Sequence, residues 1–173
     1  MSKALVLSGG GARAAYQVGV LKGIAGILPR SVYNPFPIIC GTSAGAINAL
    51  SIAGRAGPFR LRTKKLERIW HELTPADVYR TDATGVIKNT FHLLASFVHS
   101  GYGIGRPISL LDNSPLRQMM EDYVKFDYLD TAIDNGELQA IAITAMSYAS
   151  GKSVTFFQGH EQIPAWNRSR RRG

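Results

Sequence analysis

Two short apolar runs, each cut off by a glycine-bearing turn and followed by a helical pattern, limit most sharply what this chain can fold into. KALVL at 3–7 runs into SGGGAR at 8–13, and FPIIC at 36–40 runs into GTSAG at 41–45. Short apolar runs bounded by turn signals fit buried strands. After the first turn, Ala14, Val18, Leu21 and Ala25 recur at helical spacing until Pro29 stops them. After the second, AGAINALSIAG at 44–54 reads as a small-residue helix ending near Gly54. Strand, turn and helix, twice in succession, is the opening of an α/β sheet.

The middle of the chain reads as mostly helical. FRLRTKKLERIWHEL at 59–73 sets Leu66, Ile69, Trp70 and Leu73 on one face and Arg60, Lys64, Arg68 and Glu72 on the other. GVIKNTFHLLASFV at 85–98 is amphipathic, and GYGIGRPISL at 101–110 is a loop. NSPLRQMMEDYV at 113–124 opens with Ser114 as cap and Pro115 at the first helical position. DNG at 134–136 closes another helical stretch, and LQAIAITAM and VTFFQ read as two strands joined by the turn SYASGKS. Residues 1–173 are read as a single α/β domain, truncated at its C-terminus, with an irregular basic tail at 159–173.

Composition removes several classes. Hydrophobic content of 45% fits a globular chain. The lone Cys40 permits neither an internal disulfide nor a multi-cysteine metal site, and it reads as a buried strand residue. ALVL at the start is too short for a signal peptide, and no apolar run approaches the roughly 18 residues of a membrane span. The expected location is therefore cytoplasmic or membrane-peripheral, with no metal and no cofactor. Charge is uneven: nine Lys and Arg precede the first acid, Glu67, whereas residues 67–137 carry eleven acids against six bases. Such a surface can meet anionic membrane. With no RNA-binding aromatic signature and no zinc-finger spacing, no nucleic-acid partner is expected.

Two glycine motifs carry the chemistry. GTSAG matches the nucleophile elbow G-x-S-x-G, in which the serine sits on a sharp strand-to-helix turn and the glycines remove Cβ clashes. A helix amino terminus after the serine offers free N–H groups to a developing oxyanion. The pentapeptide alone recurs by chance; its strand and helix context singles out Ser43. SGGGAR has two functional readings. Gly9, Gly11 and Ala14 fit G-x-G-x-x-A, a dinucleotide loop, but that reading wants an acid about 20 residues on, and the first acid here is Glu67. The other reading is an oxyanion hole donated by a glycine loop.

Together GGGAR at 9–13 and GTSAG at 41–45 resemble the patatin-like phospholipase family, and a fainter likeness continues into LQAIAITAMSYASGKSVTFF. The resemblance implies a three-layer α/β/α sandwich with a mainly parallel central sheet, incomplete here at its C-terminal end. It implies a lipid or acyl-ester substrate, hydrolysed by a phospholipase A or esterase chemistry that uses a Ser–Asp dyad. By motif position Ser43 is the nucleophile, and Gly41, Thr42 and Gly45 form its elbow. The backbone amides of Gly10 and Gly11, with that of Ala44, form the oxyanion hole on the loop that begins at Gly9. Arg13 braces that loop or the anionic end of the substrate.

The chain departs from the family at the base. The family's aspartate stands in a later Asp-Gly-Gly or Asp-Gly-Ala motif, and this sequence contains no Asp-Gly. The catalytic aspartate is therefore expected outside the chain, and the 173 residues alone are expected to be inactive. Asp134 lies in a helix-ending turn before a strand, and Asp112 reads as capping chemistry. His71, His92, His99 and His160 have no motif support. The alternative from another class is a non-catalytic remnant that binds lipid or protein. Residues 86–105 read either as a core helix or as a cover over the serine that touches lipid, with Phe91 and Phe97 at the contact.

Overall fold

The first two apolar runs lie side by side in the computed structural model, which describes residues 3–74, 114–147 and 150–163. They form parallel strands β1 (Ala4–Leu7) and β2 (Ile38–Thr42), in register from Ala4 opposite Ile38 to Leu7 opposite Gly41. Strand β3 (Ala140–Ser147) runs parallel to β2 on its other side, with Ile38 opposite Ala140 and Thr42 opposite Thr144. Strand β4 (Lys152–Gly159) returns antiparallel along β3, and the sheet order is β1-β2-β3-β4.

Strand β2 begins and ends two residues later than the expected run FPIIC. Pro37 has no N–H to give a ladder; its carbonyl instead accepts from Gln139 N at 2.7 Å and Ala140 N at 3.2 Å, which starts β3 alongside. At the other end Gly41 and Thr42, read as turn, remain in the ladder.

Helix α1 (Ala14–Ile27) follows a single 3-10 turn at Gly11–Arg13, and Ala14, Val18, Leu21 and Ala25 are buried as their spacing predicts. Helix α2 (Ala44–Ala53) follows β2 directly, then α3 (Phe59–Glu72), α4 (Ser114–Tyr123) and α5 (Asp127–Asp134). Alternate strand residues share a face. Leu7, Ile39 and Ile141 accordingly join one core with Leu21 of α1, Ile52 of α2, Leu66 of α3 and Ile133 of α5. Val6 and Cys40 point the other way; Val6 is 74% exposed, and Cys40 is half-buried rather than buried as expected. The chain thus has the α/β class and the mainly parallel sheet that its sequence implies. The described residues supply the sheet and the helical layer on one face, and a layer on the other face is not among them.

The core also holds a charge that spacing placed on no particular face. Arg62 is 1% exposed, and its guanidinium donates to Gly57 O at 2.7 Å, Ile52 O at 3.3 Å and Glu137 Oε2 at 2.8 Å. Tyr128 donates its hydroxyl to the same Glu137 oxygen at 3.0 Å, and its ring lies 5.7 Å from the guanidinium carbon. Each nitrogen of the guanidinium has an acceptor, as a buried cation requires. The cluster fastens α3 to α5 and to the approach of β3. Burial, and then the bond to the Glu137 carboxylate, push the Tyr128 phenol above its ordinary range, and Arg62 opposes that shift.

No helix among the described residues is long and apolar enough to cross a membrane. The helical and loop readings at 85–110, with His92, His99 and Asp112, and the tail from 164 onward lie outside the described residues.

Candidate active site

Because β1 and β2 are parallel and in register, the segments that follow them emerge at the same edge of the sheet. The glycine loop leaves Leu7 and the serine turn leaves Thr42, so local sequence and strand pairing together bring the two motifs side by side. A Cβ placed on Gly9 would lie 3.2 Å from Ser43 Cβ and 3.3 Å from Thr42 O. Loop and turn are in contact.

Ser43 has φ 54° and ψ −123°, and it is the sole non-glycine with positive φ among the described residues. A conformation of this kind costs about 1–3 kcal/mol and persists only where the surroundings over-determine it. Here they do. Ser43 N donates to Thr144 O at 3.1 Å, and Ser43 O accepts from Ala46 N at 2.8 Å as α2 begins. The flanking glycines are steric necessities. A Cβ on Gly45 would run into the carbonyl oxygen of Leu7 and stand 2.5 Å from Ser8 O. One on Gly41 would stand 2.6 Å from Gly45 O and 2.7 Å from Ala49 Cβ.

The result is an exposed serine at the amino end of a helix, beside a run of glycine amides. Ala44 heads α2, so its N–H is one of the first-turn donors with no helical acceptor. Gly10 is extended at φ 169°, and Gly11 turns the chain at φ 55° into the 3-10 turn, where Arg13 N donates to Gly10 O at 3.2 Å. Arg13 is exposed, and its side chain makes no hydrogen bond or ion pair among the described residues.

Topology separates the serine from two of the weighed acids and bases. Asp134 ends α5 ahead of β3, whose first residue Ala140 pairs with Ile38 at the start of β2. His160 follows Gly159, which also pairs with Ala140. Both therefore sit toward the edge opposite Ser43, roughly 16 Å away along β2 at the usual rise per strand residue. His71 is exposed near the end of α3. Among the described residues no side chain hydrogen-bonds the Ser43 hydroxyl, and no group of three or more His, Cys, Asp or Glu could hold a metal.

One set of residues at this site escaped the sequence reading. Asn48, fully buried on α2, donates to Ala14 O at 3.1 Å and Gln17 Oε1 at 2.9 Å. Trp70 on α3 donates its indole N–H to Asn48 Oδ1 at 2.7 Å. Gln17 Nε2 donates in turn to Ser8 O at 2.8 Å, on the glycine loop. The available signal was an asparagine inside the apolar helix AGAINALSIA.

A parallel-stranded α/β sheet with a glycine loop and a strained serine turn at one edge defines the class of architecture. The model of the patatin-like phospholipase family matches residues 5–168, and the chain belongs to that family. It is 41% identical over 58 residues to a cGAMP-activated phospholipase of Pseudomonas aeruginosa (strain BWHPSA011 / Pa011), a match covering 34% of this chain and 17% of that protein. It is 47% identical over 51 residues to a cUMP-AMP-activated phospholipase of Escherichia coli, covering 30% of this chain and 16% of that protein. No solved structure matches significantly.

Proposed function

We propose that the protein is a lipid acyl hydrolase of phospholipase A or esterase type, with Ser43 as nucleophile. The observation that carries this reading is the contact of the Gly9 loop with a serine held at φ 54° on a strand-to-helix turn. Ser43 Oγ attacks the ester carbonyl carbon, and its proton passes to an aspartate supplied from outside the 173 residues. The carbonyl oxygen becomes an oxyanion that accepts from the amides of Gly10, Gly11 and Ala44. Collapse breaks the bond to the alcohol, which leaves with the proton, and water then releases the acyl group from Ser43. Arg13, exposed beside the loop and without an ion pair among the described residues, faces the anionic end of the substrate. Family membership supports lipid as the substrate class.

The test is hydrolysis of phospholipid and of a short acyl ester by the full-length protein and its Ser43→Ala variant. Loss of a serine nucleophile removes on the order of 10⁶ in rate. Turnover abolished in the variant supports the reading, and turnover that survives refutes it.

A second reading is favoured by the Ser43 hydroxyl having no hydrogen-bonding side chain among the described residues. In that reading the chain is an inactive patatin-like module that binds lipid or protein. It requires no turnover from the full-length wild type, with vesicle binding unchanged by Ser43→Ala.

A further inference from the structure

We propose that Gln17 is a positioning residue for the glycine loop, locked in place by Asn48 and Trp70; the proposal rests on Ser43 and that loop forming the reactive site. The network has one direction only. An indole N–H can only donate, so Asn48 must turn Oδ1 toward Trp70 and its amide nitrogen toward Ala14 O and Gln17. Asn48 donates to Gln17 Oε1, so Gln17 must present its own nitrogen to Ser8 O. Each amide orientation is dictated by the one before it, and the sequence ends on a backbone carbonyl of the loop.

That last bond sets the direction of a peptide plane. In a trans peptide the C=O of Ser8 and the N–H of Gly9 point in opposite senses, so fixing the first fixes the second. Three successive glycines follow, the residues with the widest backbone freedom. An anchor at their start is what keeps the loop amides aimed before substrate arrives. The anchor is also referenced to the nucleophile, since Asn48 stands on α2, the helix that Ser43 begins. Helix α2 already packs through Ala49 and Ile52. Burying an asparagine between helices therefore gains nothing for packing that an apolar residue would not supply, and it requires every amide group to be paired.

The full-length protein carrying Gln17→Glu tests this directly. The carboxylate keeps the side-chain length and still accepts from Asn48, but it cannot donate to Ser8 O. Gln17→Met removes the same bond without adding charge, and with it the acceptor for Asn48, which keeps Ala14 O. Hydrogen exchange at residues 8–13, melting temperature, and kcat and KM on a soluble acyl ester are measured together. We expect faster loop exchange in both variants, melting within a few degrees of wild type, kcat lowered ~10- to 100-fold, and KM within about twofold, as for a partly lost oxyanion donor. Unchanged exchange and kcat in both variants would overturn the proposal, as would a kcat loss accompanied by global unfolding without a local change in the loop. A wild type that hydrolyses nothing refutes the hydrolase reading instead, and loop exchange then decides the positioning role alone.

Discussion

At the scale of single residues, Ser43 combines exposure and strain. Its φ of 54° lies where side chains are disfavoured and glycine is not. Ser43→Gly should therefore raise the unfolding free energy by about 1 kcal/mol, a few degrees in melting temperature, while abolishing turnover. Thermal unfolding of the two proteins in parallel checks it; a variant less stable than wild type would mean that the turn carries no strain. The serine and its glycines were legible in the sequence because the turn is a local motif: Gly41 meets Gly45, Ala46 and Ala49 within the next eight residues, although Gly45 is demanded by Leu7 and Ser8 of the distant first strand end. Asn48 was not legible, because its polarity is explained only by Ala14, Gln17 and Trp70, all outside its own helix.

At the scale of elements, the cluster joining α3, α5 and the start of β3 should dominate stability outside the sheet. Arg62→Ala leaves the Glu137 carboxylate with Tyr128 but no cation, and strands the carbonyls of Ile52 and Gly57. A loss of about 3 kcal/mol is expected in chemical denaturation, and a smaller one for Arg62→Met, which refills the volume. Equal losses would show that volume plays no part. Tyr128 gives the same cluster a pH signature. Its phenol titrates above the ordinary value of 10.0 in the fold, so the neutral form is favoured there. The sign follows: this contribution is fully present below the unfolded-state pKa and is lost as pH rises through the higher folded one. Stability should fall above about pH 10, and Tyr128→Phe should show a shallower fall in the same denaturation series. Helix α3 shows how far periodicity reaches. Leu66 and Ile69 are buried, and Arg60, Lys64, Arg68 and Glu72 are exposed, as spacing predicts. The burial of Arg62 depends on Glu137, 75 positions later in the chain, which no helical pattern encodes.

At the scale of the whole molecule, the uneven charge of the sequence becomes a surface. Lys22, Arg30, Arg60 and Lys64, from α1, the segment after it, and α3, line two shallow adjoining grooves of about 380 and 400 Å³. Among the described residues lining them, only Glu67, paired to Lys22, is an acid. If this side meets anionic membrane, the full-length protein should co-sediment with phosphatidylglycerol vesicles at low salt and be released as screening shortens, on the order of 3 Å at 1 M against 10 Å at 0.1 M. Binding that ignores salt, or that persists with Arg60→Glu and Lys64→Glu together, would exclude it.

The central claim is that a glycine loop and a strained serine turn, brought together by parallel strand pairing, make Ser43 a nucleophile. Fluorophosphonate labelling of the full-length protein, followed by peptide mapping, tests it most directly. The account predicts one adduct, on Ser43, absent from Ser43→Ala and slowed in Gln17→Glu. An adduct that maps elsewhere and survives Ser43→Ala, or a folded wild type that takes up no probe, would contradict it.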